Sequence, residues 1–68
     1  MRILVIEDDD KIQSFISRGL SQEGHTVDMA STGTEGLRLW QSTQYDAVVL
    51  DIMLPERNGI DLLRQMRR

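Results

Sequence analysis

Acidic residues close two apolar runs, and they are the first places where this chain could do chemistry. Ile3-Leu4-Val5-Ile6 leads directly into Glu7-Asp8-Asp9-Asp10, and Ala47-Val48-Val49-Leu50 leads into Asp51. A carboxylate at the point where a buried strand emerges can hold a hard cation or act as a nucleophile. Four acids in succession cannot all be buried, so some of Glu7 to Asp10 serve simpler ends. Asp8 or Asp9 reads as the N-cap of a following helix, with the acids around it favoured by the helix dipole. Asp9 suits that role and an acidic pocket equally well, whereas Asp10 reads as a helix-start charge. Asp51 is different: Ile52-Met53-Leu54-Pro55 follows it, a poor helix start, so capping does not account for it.

The elements that must position these acids are legible in the hydrophobic pattern. The four-residue aliphatic run at Ile3 reads as a strand covered on both faces, as in a parallel sheet. Ile12, Phe15, Ile16 and Leu20 then repeat at helical spacing, and Glu23-Gly24 ends that helix with a glycine C-cap. His25 to Ala30 is a more polar strand suited to a sheet edge, with Val27 and Met29 on one side. Thr32-Gly33-Thr34-Glu35 reads as a capping box opening a helix that buries Leu37 and Trp40, with Gly36 where packing is close. Gln41 to Gln44 is a polar connection, and Asp46 to Asp51 is the third strand. Pro55-Glu56-Arg57-Asn58-Gly59 is a loop in which proline fixes φ and Asn-Gly tolerates positive φ. Ile60, Leu63 and Met66 begin a third helix near Asn58 that runs to the end, with Arg64, Arg67 and Arg68 in its last turn.

The order is β-α-β-α-β-α in one domain, residues 1–68, with strands about twenty residues apart. Short connections and right-handed crossovers make this an α/β protein with a parallel sheet and helices on both faces. If the first and third strands are neighbours (order 2-1-3), Glu7, Asp8 and Asp51 converge at the carboxyl edge, where open α/β sheets bind ligands. Three such carboxylates repel and raise one another's pKa values. A hard divalent cation relieves this, and Mg²⁺ is suited to one or two carboxylates, a carbonyl and water.

Composition narrows the classes further. There is no cysteine, so disulfides and thiolate metal sites are excluded. No apolar run approaches membrane-spanning length, and no signal peptide precedes the first strand. A net charge of −3 argues against this segment gripping nucleic acid. His25 has no second histidine to pair with and reads as solvated, while Phe15, Trp40, Met29 and Met66 read as packing residues.

Two segments resemble a known family. Ile3-Leu4-Val5-Ile6-Glu7-Asp8-Asp9 is similar to the first strand and acidic pocket of two-component response-regulator receiver domains. Val48-Val49-Leu50-Asp51-Ile52-Met53-Leu54-Pro55 with Gly59 resembles their phosphorylation segment, in the wording of regulators that carry a winged-helix DNA-binding domain. The resemblance spans all 68 residues and implies a flavodoxin-like receiver fold. It makes Asp51 the phosphoacceptor and Glu7 and Asp8 the pair that binds Mg²⁺. It also makes the Met53 backbone carbonyl a further metal ligand, and Pro55 and Gly59 the shapers of the loop beside the site. The implied donor is the phosphohistidine of a sensor histidine kinase, docked beside the first helix, in the cytoplasm.

The family pattern continues through a hydroxyl residue after strand four and a lysine and an aromatic switch on strand five. The resemblance thus implies the N-terminal half of a receiver, because the one lysine here is Lys11 and Tyr45 lies before the third strand. Half an acceptor site is expected to take phosphate poorly, since crowded acids need a cation beyond the metal. A third strand left as an edge is expected to pair with another chain, giving a homo-oligomer. The alternative is an interaction module that keeps the receiver surface without phosphorylation. An enzyme is not expected: a haloacid-dehalogenase phosphatase requires a second aspartate where Met53 stands. A nucleotidyl-transfer site would need its acids apart, whereas Asp8 and Asp10 share the strand end of Glu7.

Overall fold

The computed structural model describes residues 1–51 and 59–67. Strand β1 (Arg2–Ile6), helix α1 (Asp10–Gln22), strand β2 (Thr26–Ala30), helix α2 (Gly33–Ser42), strand β3 (Ala47–Leu50) and helix α3 (Gly59–Met66) follow in that order. The three strands form a parallel sheet in the order β2-β1-β3, as the apolar runs predict. Ile6 pairs with Ala30 on one side and Leu50 on the other, so Glu7 and Asp51 leave the sheet at one level.

Local chemistry sets the element ends. Of the two candidate N-caps, Asp9 does the work: its carboxylate accepts from the amides of Lys11 at 2.9 Å and Ile12 at 3.1 Å. At the other end of α1, Gly24 takes φ 90, a left-handed conformation that costs glycine little. Its amide donates to the Ser21 carbonyl and that of His25 to the Leu20 carbonyl, the paired bonds of a Schellman motif. Thr32 caps α2 by accepting from the Glu35 amide at 3.2 Å.

Most of the core lies under α2 and α3. Leu4, Ile6, Ala30, Tyr45, Leu62 and Met66 are buried there, with Leu37, Trp40, Val48 and Leu50 packed against them. Gly36 lets α2 approach the sheet: an added Cβ would stand 2.8 Å from Ile6 Cγ1. Tyr45 stacks on Trp40 with ring centroids 6.0 Å apart, and Trp40 Nε1 donates to the Met66 carbonyl at 2.9 Å, joining α2 to α3.

Three helix and strand faces differ from the expected ones. Phe15 is 79% exposed and Ile12 is 47% exposed, because α1 turns Gln13 and Ser17 to the sheet instead. Ile16 and Leu20 fit both registers, so their spacing could not choose between them. On α3 the buried line is Gly59, Leu62 and Met66, while Ile60 is half exposed. Met29 is 48% exposed on β2, an edge strand of the sheet.

The pole opposite the acids is tied by a polar network. Tyr45 donates its hydroxyl to Asp28 Oδ2 at 2.7 Å, and the Arg2 guanidinium donates to the same oxygen at 2.9 and 3.2 Å. Arg2 also lies over the Tyr45 ring, 5.7 Å from its centroid. The Tyr45 bond and then the Arg2 bond hold the Asp28 carboxylate below its ordinary pKa; burial, then the Asp28 bond, raise that of Tyr45.

Candidate functional site

The parallel register brings the expected acids together. Glu7, Asp8 and Asp51 each offer a carboxylate oxygen within 4.8 Å of the others. Glu7 is buried, Asp51 is half-buried and Asp8 is exposed. Backbone bonds fix both strand exits: the Glu7 amide donates to the Ala30 carbonyl and the Asp51 amide to the Ile6 carbonyl, both at 3.0 Å. Beneath the acids a cleft is lined by Ile6, Glu7, Ile16, Val49, Leu50 and Asp51. Its apolar floor keeps the Glu7 side of the cluster out of bulk water.

Electrostatics follow from that burial. The Glu7 carboxyl is pushed up to about 7. A hydrogen bond with Asp51 is the main cause, followed by burial and the Asp51 charge, against a lowering bond from the Asp8 amide at 3.1 Å. Crowding of like charges at a buried position thus favours the protonated form of Glu7 over its ordinary range. Three oxygen-donor carboxylates within 4.8 Å of one another suit a hard divalent cation in both charge and ligand type. The donor set fits a metal.

This acidic edge of a three-stranded parallel sheet has counterparts among known proteins. Residues 3–68 match the response regulator receiver domain. The chain belongs to that family. Over 67 residues it is 46% identical to the probable transcriptional regulatory protein SilR of Salmonella typhimurium, covering 98% of this chain and 29% of SilR. The chain therefore spans less than a third of that relative. Among solved structures it is similar to the response regulator TrrA of Thermotoga maritima in complex with Mg²⁺-BeF. The TM-score is 0.94 at 36% identity, over 97% of this chain and 57% of TrrA. TrrA in complex with the histidine kinase ThkA superposes with a TM-score of 0.92 at the same 36% identity and the same coverage.

Within the receiver fold, the expected site residues divide. Glu7, Asp8 and Asp51 meet at one edge; Asp9 is spent on the helix cap, and Asp10, exposed, opens α1. Gly59 is buried as the first residue of α3. Met53 and Pro55 lie outside the described residues. His25 is half-buried, with its Nδ1 3.2 Å from the Met1 amino group and remote in sequence from the acids. Among the described residues, no helix is long and apolar enough to cross a membrane.

One residue at the site was not expected. Gln13, nine per cent exposed, points its carboxamide back at the strand ends and donates to the Glu7 and Ala30 carbonyls, 3.0 Å to each. Its signal in the sequence was a glutamine four residues before Ser17, with Ile16 and Leu20 completing one helical face. A polar residue on a sheet-facing stripe needs partners, and the strand-end carbonyls are the ones within reach.

Proposed function

We propose that this receiver domain is a phosphoacceptor module of a two-component phosphorelay. In this reading Asp51 takes a phosphoryl group from the phosphohistidine of a sensor histidine kinase. The observation that carries it is the convergence of Glu7, Asp8 and Asp51 within 4.8 Å at the carboxyl edge. An Asp51 carboxylate oxygen attacks phosphorus in line; the O–P bond forms as the P–N bond to imidazole breaks, and the imidazole leaves. Glu7, Asp8 and Asp51, with the Met53 carbonyl, would hold Mg²⁺, which when bound supplies neutralisation of the phosphoryl oxygens. Glu7 must release its proton for this, and burial limits competing water on its side of the cluster. In the same reading Pro55 and Gly59 would shape the loop beside the site.

Support for Mg²⁺ comes from the Mg²⁺-BeF complex of TrrA, and support for the kinase from the complex of ThkA with TrrA. The module is a stoichiometric acceptor, not a turnover enzyme, and works in the cytoplasm; these residues correspond to the first three βα units of a receiver. The name of SilR points to transcriptional regulation as the output. No direct nucleic-acid contact is assigned to these residues. Taken alone, these 68 residues would accept phosphate slowly, because their one lysine, Lys11, is exposed on α1. β3 is an edge of the described sheet and its Val49 is 37% exposed. The chain forms homo-oligomers through that edge.

Beryllofluoride, an acyl-phosphate mimic, tests the acceptor reading by ¹⁹F NMR. A bound resonance that requires Mg²⁺ and disappears in Asp51→Asn is expected. A resonance that survives the substitution contradicts it. No resonance at saturating Mg²⁺ favours the other reading, an interaction module that keeps the receiver surface without being phosphorylated.

A further inference from the structure

We infer that Gln13 is a positioning residue for the acidic site, holding the Glu7–Asp8 segment in place; this rests on the phosphoacceptor reading above. A primary carboxamide has two N–H donors, and here both are used on neighbouring carbonyls, Glu7 and Ala30. The Ala30 carbonyl also accepts from the Glu7 amide at 3.0 Å. Gln13 and the Glu7 peptide thus close a ring of hydrogen bonds that joins β1, β2 and α1 at the point where the acids leave the sheet. Glu7 is held through both its N–H and its C=O.

The segment is short, and both its ends are fixed. Gln13 secures Glu7 at the start, and the Asp9 cap, with bonds of 2.9 and 3.1 Å to Lys11 and Ile12, secures the finish. The backbone that carries Glu7 and Asp8 is therefore held at both ends against their mutual repulsion. Hydrophobic residues were available to α1, yet Ile12 and Phe15 face outward while the amide occupies the buried position. Ser17, one turn further along the same buried face, has no hydrogen-bond partner for its hydroxyl, so being polar and buried on α1 does not itself give a grip on the site.

That contrast supplies the control. In Gln13→Met the volume is nearly kept and both donors are lost; Ser17→Ala removes the other buried polar group on α1. Calorimetric titration with MgCl₂ at alkaline pH, where Glu7 is ionised, is expected to show about tenfold weaker binding for Gln13→Met. Ser17→Ala should bind as the parent does. Amide hydrogen exchange without metal should quicken at Glu7 and Asp8 in Gln13→Met and not in Ser17→Ala. Gln13→Asn, too short to reach both carbonyls, carries the same measurements if Gln13→Met does not fold. Unchanged Mg²⁺ affinity in a folded Gln13 variant would overturn the inference, however much stability is lost. A parent chain that binds no Mg²⁺ would remove the acceptor reading instead. The exchange rates would then decide the positioning: equal rates in Gln13→Met and the parent would end it.

Discussion

Glu7 carries the most informative single-residue property of the site, because its carboxyl is raised furthest from its ordinary range. Its carboxyl titrates near 7, far above the ordinary value of 4.5, through its bond with Asp51 and its burial. The folded chain therefore binds this proton more tightly than the unfolded one. The resulting stability is fully present below the unfolded pKa and is lost as pH rises through about 7. Thermal unfolding of the metal-free chain should accordingly move to lower temperature between pH 5 and pH 8. The shift is on the order of 5 °C for each kcal/mol lost. Glu7→Gln should flatten that dependence; an unchanged slope would contradict the shared proton. In the proposed phosphoacceptor reading Mg²⁺ would compete with the proton for the same oxygens, so its affinity should rise with pH through about 7, read by calorimetric titration across that range.

At the scale of elements, two contacts bring the strands and helices to the site without touching the acids. Gly36 allows α2 to sit on Ile6, which is wholly buried, so Gly36→Ala trades a gain in helix propensity for a core clash. The clash wins, with a net loss of about 1 to 2 kcal/mol in denaturant unfolding. Tyr45→Phe removes one bond to the Asp28 carboxylate and should cost about 1 to 2 kcal/mol, with Mg²⁺ affinity unchanged. A Tyr45 variant that lost Mg²⁺ binding would show that the two poles of the sheet are coupled. The strands, their parallel order and the strand-end acids were legible because buried parallel strands read as unbroken apolar runs. Helix faces were less so. Ile12, Ile16 and Leu20 satisfy one helical stripe and Gln13, Ile16 and Leu20 another, and hydrophobicity alone prefers the first. The second prevails because Gln13 satisfies two strand-end carbonyls, a tertiary pairing that local spacing does not encode. On α3, Ile60 and Leu63 competed in the same way with Leu62, which packs against the core beside Met66. The packing role of Tyr45 was not legible because its partners, Asp28 and Arg2, are 17 and 43 positions away in sequence and meet only when the sheet forms.

For the whole molecule, the receiver fold raises two questions that can be answered separately: whether it assembles, and whether it accepts phosphate. Sedimentation should show concentration-dependent association of the 68-residue chain. A monomer at all concentrations would contradict assembly through the β3 edge. Phosphate acceptance bears on the central claim. Intact-mass measurement after prolonged incubation with acetyl phosphate, with and without Mg²⁺, tests it most directly. The predicted result is slow, incomplete addition of one phosphoryl group that requires Mg²⁺ and vanishes in Asp51→Asn. Addition that persists in Asp51→Asn, or no addition at all with Mg²⁺ present, would contradict it.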